Sequence, residues 1–186
     1  MSRVSVPLRR ACKLINHGPT TMVSSSSGGR QNVMTAAWVM PLDLDPPKIA
    51  AVIAADSYTR TLIEASGELV VNVPPVAMKD EAFAAGQSSG EDTDKIAELG
   101  LATSPASLVA APLIERCVAW LECRVIPEPG IQERYDLFVC DVLAAWADGD
   151  LFVDGLWRFP TDDTRTLHHL SGGVFLVSGD PVKAQR

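Results

Sequence analysis

The chain has few of the residues that build common metal and catalytic centres. Its 186 residues include only three histidines and four cysteines, and no two cysteines form a Cys-X-X-Cys pair. Structural zinc sites draw their ligands from clusters of these residues, so the sequence argues against a metal site. Cys117, Cys123 and Cys140 lie in apolar, strand-like segments. We therefore expect buried thiols, which agree with a reducing compartment.

Long apolar runs and an excess of positive charge are also missing. No apolar run approaches the length that spans a bilayer. Residues 1–15 carry four basic side chains and lack the apolar centre of a secretory signal. The net charge of -7 argues against nucleic acid or an anionic membrane as the main partner. We predict a cytoplasmic protein with a single domain over residues 1–186 and a core at about 19–178.

The familiar catalytic motifs are absent as well. The chain contains no GxSxG elbow, no HExxH, no GxxxxGK[ST] and no GxGxxG followed by an acidic residue. The serine-rich segment 24–29 lacks the lysine and the following helix of a phosphate loop. Nothing local supports a Ser-His-Asp arrangement around His17, His168 or His169. The sequence therefore predicts no catalytic side chain of its own.

Strand patterns dominate what is present. Residues 20–27 and 33–40 read as two strands joined at Gly28-Gly29, and residues 115–126 and 135–146 alternate as a long antiparallel pair. The remaining predicted strands are 48–54, 69–73, 151–153 and 174–177, with a loop at 43–47 and a turn at 127–130.

Short helices are predicted between these strands. Ser57 suits a helix start and Gly67 its end, residues 76–85 look helical, and Thr93 suits the cap of a helix at 94–99. Strands that follow one another without regular helical crossovers favour an antiparallel sheet, and closing it into a barrel removes its edges. The predicted fold is mainly β with short inserted helices.

The stretch from Asn32 to Trp38 combines an amide, a hydroxyl, small residues and an indole. Small residues allow close approach of a flat ligand, and an indole offers a face for stacking. One interpretation is therefore the wall of a planar cofactor site. The other is a core strand with Asn32 and Thr35 on its wet face.

A second candidate lies at the start of the helix after Asp56. Ser57, Thr59 and Arg60 put hydroxyls, backbone N–H groups and a guanidinium at one N-terminus, where a phosphate monoester can bind. The alternative is ordinary capping with a solvated Arg60. Lys95 is a second candidate cation, and its alternative is a solvated helix lysine.

Four blocks in order resemble the flavin reductase-like, FMN-binding split-barrel family, particularly its flavoredoxin branch. The blocks are Asn-Val-Met-Thr-Ala-Ala-Trp at 32–38 with Asp-Pro-Pro at 45–47; Ser-Tyr-Thr-Arg at 57–60 leading into Ser-Gly-Glu-Leu-Val-Val-Asn-Val-Pro at 66–74; Ser-Gly-Glu-Asp-Thr-Asp-Lys at 89–95; and Leu-Glu-Cys at 121–123 with Leu-Phe-Val-Cys-Asp-Val at 137–142.

The resemblance implies a six-stranded antiparallel split β-barrel and a homodimer with FMN near the interface. It implies phosphate contacts from Ser57, Thr59, Arg60 and Lys95. The strand implied to face the ring contributes Asn32, Val33, Met34, Thr35, Ala36, Ala37 and Trp38. One departure is Phe175, at a position where the family often has tyrosine.

The resemblance also implies an oxidoreductase that moves electrons from NADH or NADPH through FMN to free flavin, ferric iron or a protein acceptor. The cofactor would carry the chemistry, which explains the missing catalytic dyad. An electron carrier without a nicotinamide site and a non-catalytic flavin-binding module remain open alternatives.

Overall fold

An antiparallel sheet of eight strands forms the centre of the structure, a computed structural model that describes residues 2–185. Three two-stranded ribbons accompany it. The strands in chain order are Arg3–Ser5 (β1), Thr21–Ser27 (β2), Arg30–Ala36 (β3), Val39–Leu44 (β4), Pro47–Val52 (β5), Glu68–Val73 (β6), Thr103–Ser104 (β7), Leu113–Ile114 (β8), Ala119–Ile126 (β9), Leu137–Asp148 (β10), Phe152–Val153 (β11), Leu156–Trp157 (β12), Leu167–Ser171 (β13) and Val174–Val177 (β14).

The helices are short and lie between strands. They are Tyr58–Ser66 (α1), Lys79–Ala85 (α2), Lys95–Glu98 (α3) and Pro129–Tyr135 (α4), with 3-10 turns at Leu8–Leu14, Val76–Met78 and Asp162–Thr164. The predicted limits of α1 are confirmed. Ser57 accepts a hydrogen bond from the Arg60 amide at the start, and Gly67 ends the helix with φ at 71°. None of the helices in the described residues is long and apolar enough to cross a membrane.

The sheet has an open seam. Its strand order is β3-β2-β6-β9-β10-β5-β4, with β1 added beside β10, so β3 and β4 are the two ends of the path. The chain passes from one end to the other through Ala37 and Trp38 alone. An antiparallel sheet that stays open at one seam is the predicted split barrel, and this fold class is confirmed, although the sheet has eight strands and not the six that the resemblance implies.

Alternation along the strands builds two apolar layers. Val23, Leu69 and Leu121 pack in the barrel interior. Their neighbours Met22, Val70 and Trp120 pack on the outer face beneath α2. Successive side chains of a strand point to opposite faces, so each central strand supplies both layers.

Several predicted boundaries are wrong. The predicted strand at residues 33–40 is two strands, because β3 pairs with β2 while β4 pairs with β5. The predicted loop at 43–47 is a tight connection, since β4 reaches Leu44 and β5 begins at Pro47. The predicted turn at 127–130 opens into α4.

Other differences lie in the helical insert and near the termini. Asp94, not Thr93, caps α3 by accepting a hydrogen bond from the Ala97 amide. The strands near residues 151–153 and 174–177 belong to separate ribbons, β11–β12 and β13–β14, outside the main sheet. Before residue 19, Ala11, Leu14 and Ile15 are also fully buried.

The four cysteines are free and buried, as expected for structural thiols. Burial raises the pKa of the Cys140 thiol to about 12, so it stays protonated and unreactive at neutral pH. Among residues 2–185, no group of three or more histidine, cysteine or acidic side chains is arranged to hold a metal ion.

A fully buried carboxylate attaches the segment around residues 103–110 to the sheet. Glu122 on β9 accepts hydrogen bonds from the amides of Ser107 and Leu108, from the Ser107 hydroxyl and from the Trp146 indole. These donors satisfy both carboxylate oxygens. A buried charge is tolerated when it is hydrogen-bonded in this way.

Glu122→Gln should lower the free energy of unfolding by about 2–4 kcal/mol, because an amide NH2 would face donors and leave buried N–H groups unpaired. Urea denaturation measures the change. Glu98→Gln, at an exposed site on α3, is the control and should leave the midpoint unchanged. Equal stability of both variants would show that the Glu122 contacts do not hold this segment.

Candidate functional site

A cavity of about 300 Å³ lies along β3, the end strand of the sheet. Four parts of the chain meet there: β3, the start of α1, the segment after α2, and α3. The lining residues are Asn32, Met34, Thr35, Asp56, Ser57, Tyr58, Thr59, Ala85, Gly86, Gln87, Ser88, Ser89, Gly90 and Lys95. Most of this lining is polar and uncharged.

The start of α1 forms one wall. The first-turn amides of a helix have no carbonyl of their own helix to donate to, and the helix dipole adds positive potential there. Ser57 is the N-cap, and its hydroxyl donates to the Ala54 carbonyl over 2.9 Å. Thr59 is buried and lines the cavity. This wall can accept an anion.

Lys95 places a buried positive charge on the opposite side. The side chain is only 3% exposed, and Nζ donates to the carbonyls of Ala85 over 2.6 Å and Ser88 over 2.7 Å. A lysine ammonium has three protons, and no acidic side chain within residues 2–185 forms an ion pair with this one. Burial lowers its pKa from the ordinary value. A buried cation without a counter-ion favours the arrival of an anion.

Asn32 supplies a buried acceptor without a partner. Its Nδ2 donates to the Thr59 hydroxyl over 2.9 Å, whereas Oδ1 has no hydrogen-bond partner within residues 2–185, although Asn32 is only 2% exposed. Gly90 lies directly against this amide, and a Cβ there would come within 2.0 Å of Oδ1. Buried polar atoms are normally satisfied, so Oδ1 marks a place for a ligand donor.

A second cavity of about 360 Å³ continues from the first along the same strand. Thr35, Gly86 and Gln87 line both cavities. The second is more aromatic, with Phe83 of α2 on one side and His169 and Phe175 of the β13–β14 ribbon on the other. The two ribbon side chains meet edge to face with ring centroids 5.6 Å apart.

The ribbon is fixed over α2 by close packing. A Cβ at Gly173 would lie 3.0 Å from two carbons of the Phe83 ring, and the φ of 82° at Gly173 suits glycine. The C-terminal ribbon therefore forms a wall of the second cavity, with no room for a side chain at this contact.

The structure brings together a subset of the predicted site residues. The first cavity is lined by Asn32, Met34, Thr35, Ser57, Thr59 and Lys95, and the second by Thr35 and Ala37. Val33 and Ala36 are buried in the two apolar layers instead. Trp38 is 74% exposed and lines neither cavity, so it does not face this site from its own chain.

Arg60 points elsewhere. Its Nε donates to Glu64 over 2.7 Å, its Nη1 pairs with Asp136, and its Nη2 donates to the Gln132 carbonyl over 3.1 Å. The hydrogen bond to Glu64 and the pairing with Asp136 raise the arginine pKa further. The structure therefore does not bring its guanidinium to the cavity, and Arg60 joins α1 to the end of α4.

Sequence reasoning missed two groups of lining residues. The segment 86–90 is glycine- and serine-rich, and nothing in such a local sequence shows which part of the fold the segment lies against. His169 and Phe175 lie more than 130 residues after β3, and only the tertiary fold brings them to the second cavity.

Thr35 has a different role from a ligand donor. Its hydroxyl donates to the Ala82 carbonyl and so ties β3 to α2. The Thr35 hydroxyl proton is therefore already used within the protein. The remaining hydrogen-bond donors along this part of the cavity are the backbone N–H groups at the open edge of β3.

Comparison with known proteins identifies the family. The model of the flavin reductase like domain matches residues 15–161, well over half of the chain. The chain belongs to this family. A protein of Escherichia coli (strain K12) named Uncharacterized protein YddH is 40% identical over 188 residues, covering 99% of this chain and all of that protein.

Two solved structures have folds similar to that of this chain. An FMN-binding domain of a flavin reductases-like enzyme from Shewanella baltica OS155 is 40% identical, with a TM-score of 0.96 over 99% of this chain and 98% of that one. The flavoredoxin of Desulfovibrio vulgaris (Miyazaki F) is 25% identical, with a TM-score of 0.79 over 90% of each chain. The chain therefore has a flavin reductase-like, FMN-binding fold.

Gly90→Ala should disturb the wall of the first cavity, because the new Cβ cannot remain 2.0 Å from Asn32 Oδ1. We expect a loss of about 1–3 kcal/mol in the free energy of unfolding, measured by urea denaturation. Gly130→Ala is the matched control, since nothing lies within 4 Å of its Cβ position. A Gly90 variant as stable as this control would contradict the close packing of segment 86–90 on β3.

Proposed function

We propose that the protein is an FMN-dependent oxidoreductase whose cofactor lies along β3. The observation that carries this proposal is the buried, unpaired ammonium of Lys95 opposite the start of α1. Together they form a site with two sources of positive potential and no acidic partner for the cation. A phosphate monoester has the charge and the acceptor oxygens that such a site requires.

The residues present fit the rest of FMN. Ser57, Thr59, the first-turn amides of α1 and Lys95 would hold the phosphate. The partnerless Asn32 Oδ1 accepts a hydrogen bond, which a ribityl hydroxyl can donate. The isoalloxazine would lie where the small residues of β3 lead into the aromatic second cavity, near Ala37, Phe83 and Phe175.

When bound, FMN supplies one- and two-electron chemistry: NADH or NADPH would be the two-electron donor, and free flavin, a protein or two ferric ions would take up the two electrons. The protein's own part is to bind, orient and shield the ring. His169 at the second cavity is the one titratable side chain of its lining and can hydrogen-bond a substrate there.

An electron carrier without a nicotinamide site is the second candidate. The support for this candidate is the similarity of the chain in fold and sequence to a flavoredoxin. The reductase and the carrier share the cofactor site and differ in whether a nicotinamide reaches the ring.

Lys95→Met should weaken FMN binding about 10- to 100-fold, since a charge-assisted contact contributes about 1.5–3 kcal/mol. Riboflavin, which lacks the phosphate, should bind both forms equally. Flavin fluorescence quenching measures the affinities, and thermal unfolding checks that the variant is folded. Lys79→Met, on the exposed face of α2, is the control. An equal loss of riboflavin binding would mean that Lys95 supports flavin binding by holding the segment after α2 in place, and not by contacting the phosphate.

The same FMN-loaded protein separates the two functions. Anaerobic NADH or NADPH should bleach the flavin band directly if the protein is a reductase. Bleaching only after a partner reductase is added would favour the carrier. A protein that binds no FMN would exclude both.

A homodimer is part of the proposal. Four large apolar side chains on and beside end strand β4 are exposed: Trp38 by 74%, Met40 by 55%, Leu42 by 49% and Leu44 by 63%. An unpaired end strand with such a stripe is a common surface for self-association. Because Ala37 and Trp38 join this strand to β3, a second copy docked here would lie next to the cofactor site.

Leu42→Asp should shift the protein from dimer to monomer in sedimentation velocity, because a carboxylate would be buried in the interface. It should also reduce FMN occupancy if the interface completes the site. Leu156→Asp, at a residue 65% exposed on β12, is the control. A wild-type monomer with full FMN occupancy would contradict the proposed dimer but not the proposed cofactor site.

A further inference from the structure

Arg30 forms a bridge between two walls of the first cavity. Its Nη2 donates to the Glu91 carbonyl over 2.6 Å and to the Gly90 carbonyl over 3.1 Å. Its guanidinium carbon also lies 4.9 Å from the centre of the Tyr58 ring. Tyr58 is the first residue of α1, and Gly90 belongs to the opposite wall. One side chain therefore joins the two walls by a hydrogen-bonded contact and a cation–π contact.

The bridge lies at the end of the cavity where the anion would bind. Tyr58 and Gly90, which Arg30 contacts, line the same cavity as Ser57, Thr59 and Lys95. A ligand whose phosphate lies among these groups has Arg30 and Tyr58 beside it. An extension that leaves this phosphate on the side of Tyr58 and Gly90 would have to pass the bridge.

The charges at this rim disfavour a second phosphate. Asp56 lines the cavity and is exposed, and Glu91 and Asp92 follow Gly90 on the other side, also exposed. The one buried cation of the lining is Lys95. At this rim the three carboxylates outnumber the one guanidinium, that of Arg30, so the second group of a diphosphate would meet net negative charge, whereas Lys95 and the start of α1 balance a single phosphate.

We propose that Arg30 and Tyr58 close the phosphate end of the cavity, so that the site takes a flavin monophosphate and rejects a flavin dinucleotide. This inference rests on the proposed flavin site and adds its selectivity. Arg30 acts here as a specificity residue: it holds the segment Gly90–Glu91 against α1 and leaves the phosphate to Lys95 and the helix start.

The test compares FMN, FAD and riboflavin on the full-length protein by flavin fluorescence quenching. Wild type should bind FMN at least about tenfold more tightly than FAD, a difference of about 1.4 kcal/mol. Arg30→Ala should narrow this ratio by about tenfold, through tighter FAD binding and not through weaker FMN binding. Riboflavin affinity should change much less than FAD affinity, since riboflavin lacks the adenylate group that would have to pass the bridge.

Arg134→Ala is the matched control, because Arg134 also lies over a tyrosine, 5.9 Å from the Tyr135 ring, on α4 away from the cavity. Arg30→Lys keeps the positive charge but cannot make all the contacts of the guanidinium with Gly90, Glu91 and Tyr58. This variant therefore distinguishes an effect of the bridge on FAD binding from an effect of the charge alone. If FMN weakens in Arg30→Ala with no gain for FAD, Arg30 binds the phosphate and the closure is wrong. Equal wild-type affinities for FMN and FAD also overturn the inference, whereas absence of any flavin binding overturns the proposed cofactor site.

Discussion

The unpaired ends of the sheet, β3 and β4, are the constraint on which the rest of the structure depends. If these strands were hydrogen-bonded to each other, the barrel would be closed and β3 would offer no free backbone edge. Because β3 and β4 do not pair with each other where the chain crosses the seam at Ala37 and Trp38, β3 keeps a free edge and lies along both cavities. The same crossing turns the apolar side chains of β4 outward, so one break in pairing creates both the ligand-binding edge and the exposed stripe.

A second constraint is the position of charge around that edge. Two cations hold the polar segment after α2 by its backbone carbonyls: Lys95 at Ala85 and Ser88, and Arg30 at Gly90 and Glu91. Neither uses a carboxylate for this purpose. The segment therefore stays in place without cancelling the positive potential of the cavity, which a carboxylate partner would have done. Shape and electrostatics of the site come from the same contacts.

The sequence predicts local features well where one residue decides them. The hairpin at Gly28-Gly29, the Ser57 cap and the Gly67 end follow from backbone and capping preferences. The long strands β9 and β10 follow from alternation. The break at residues 37–38 does not, because an apolar run looks the same whether it pairs with one neighbour or two. The family resemblance supplied the split barrel that periodicity alone left open.

The two predicted cations show why a site is harder to predict than a fold. Arg60 directly follows Thr59 in sequence, yet its guanidinium is directed to Asp136, which is 76 residues away along the chain. Lys95 sits on a four-residue helix that looks solvated in sequence, yet its side chain is buried against β3 and the segment after α2. What decides each case is the counter-charge: Arg60 pairs with two carboxylates, whereas Lys95 pairs with none among the residues that the structure describes. A cation whose charge is already balanced stabilises the fold, whereas a buried cation without a partner is available to a ligand.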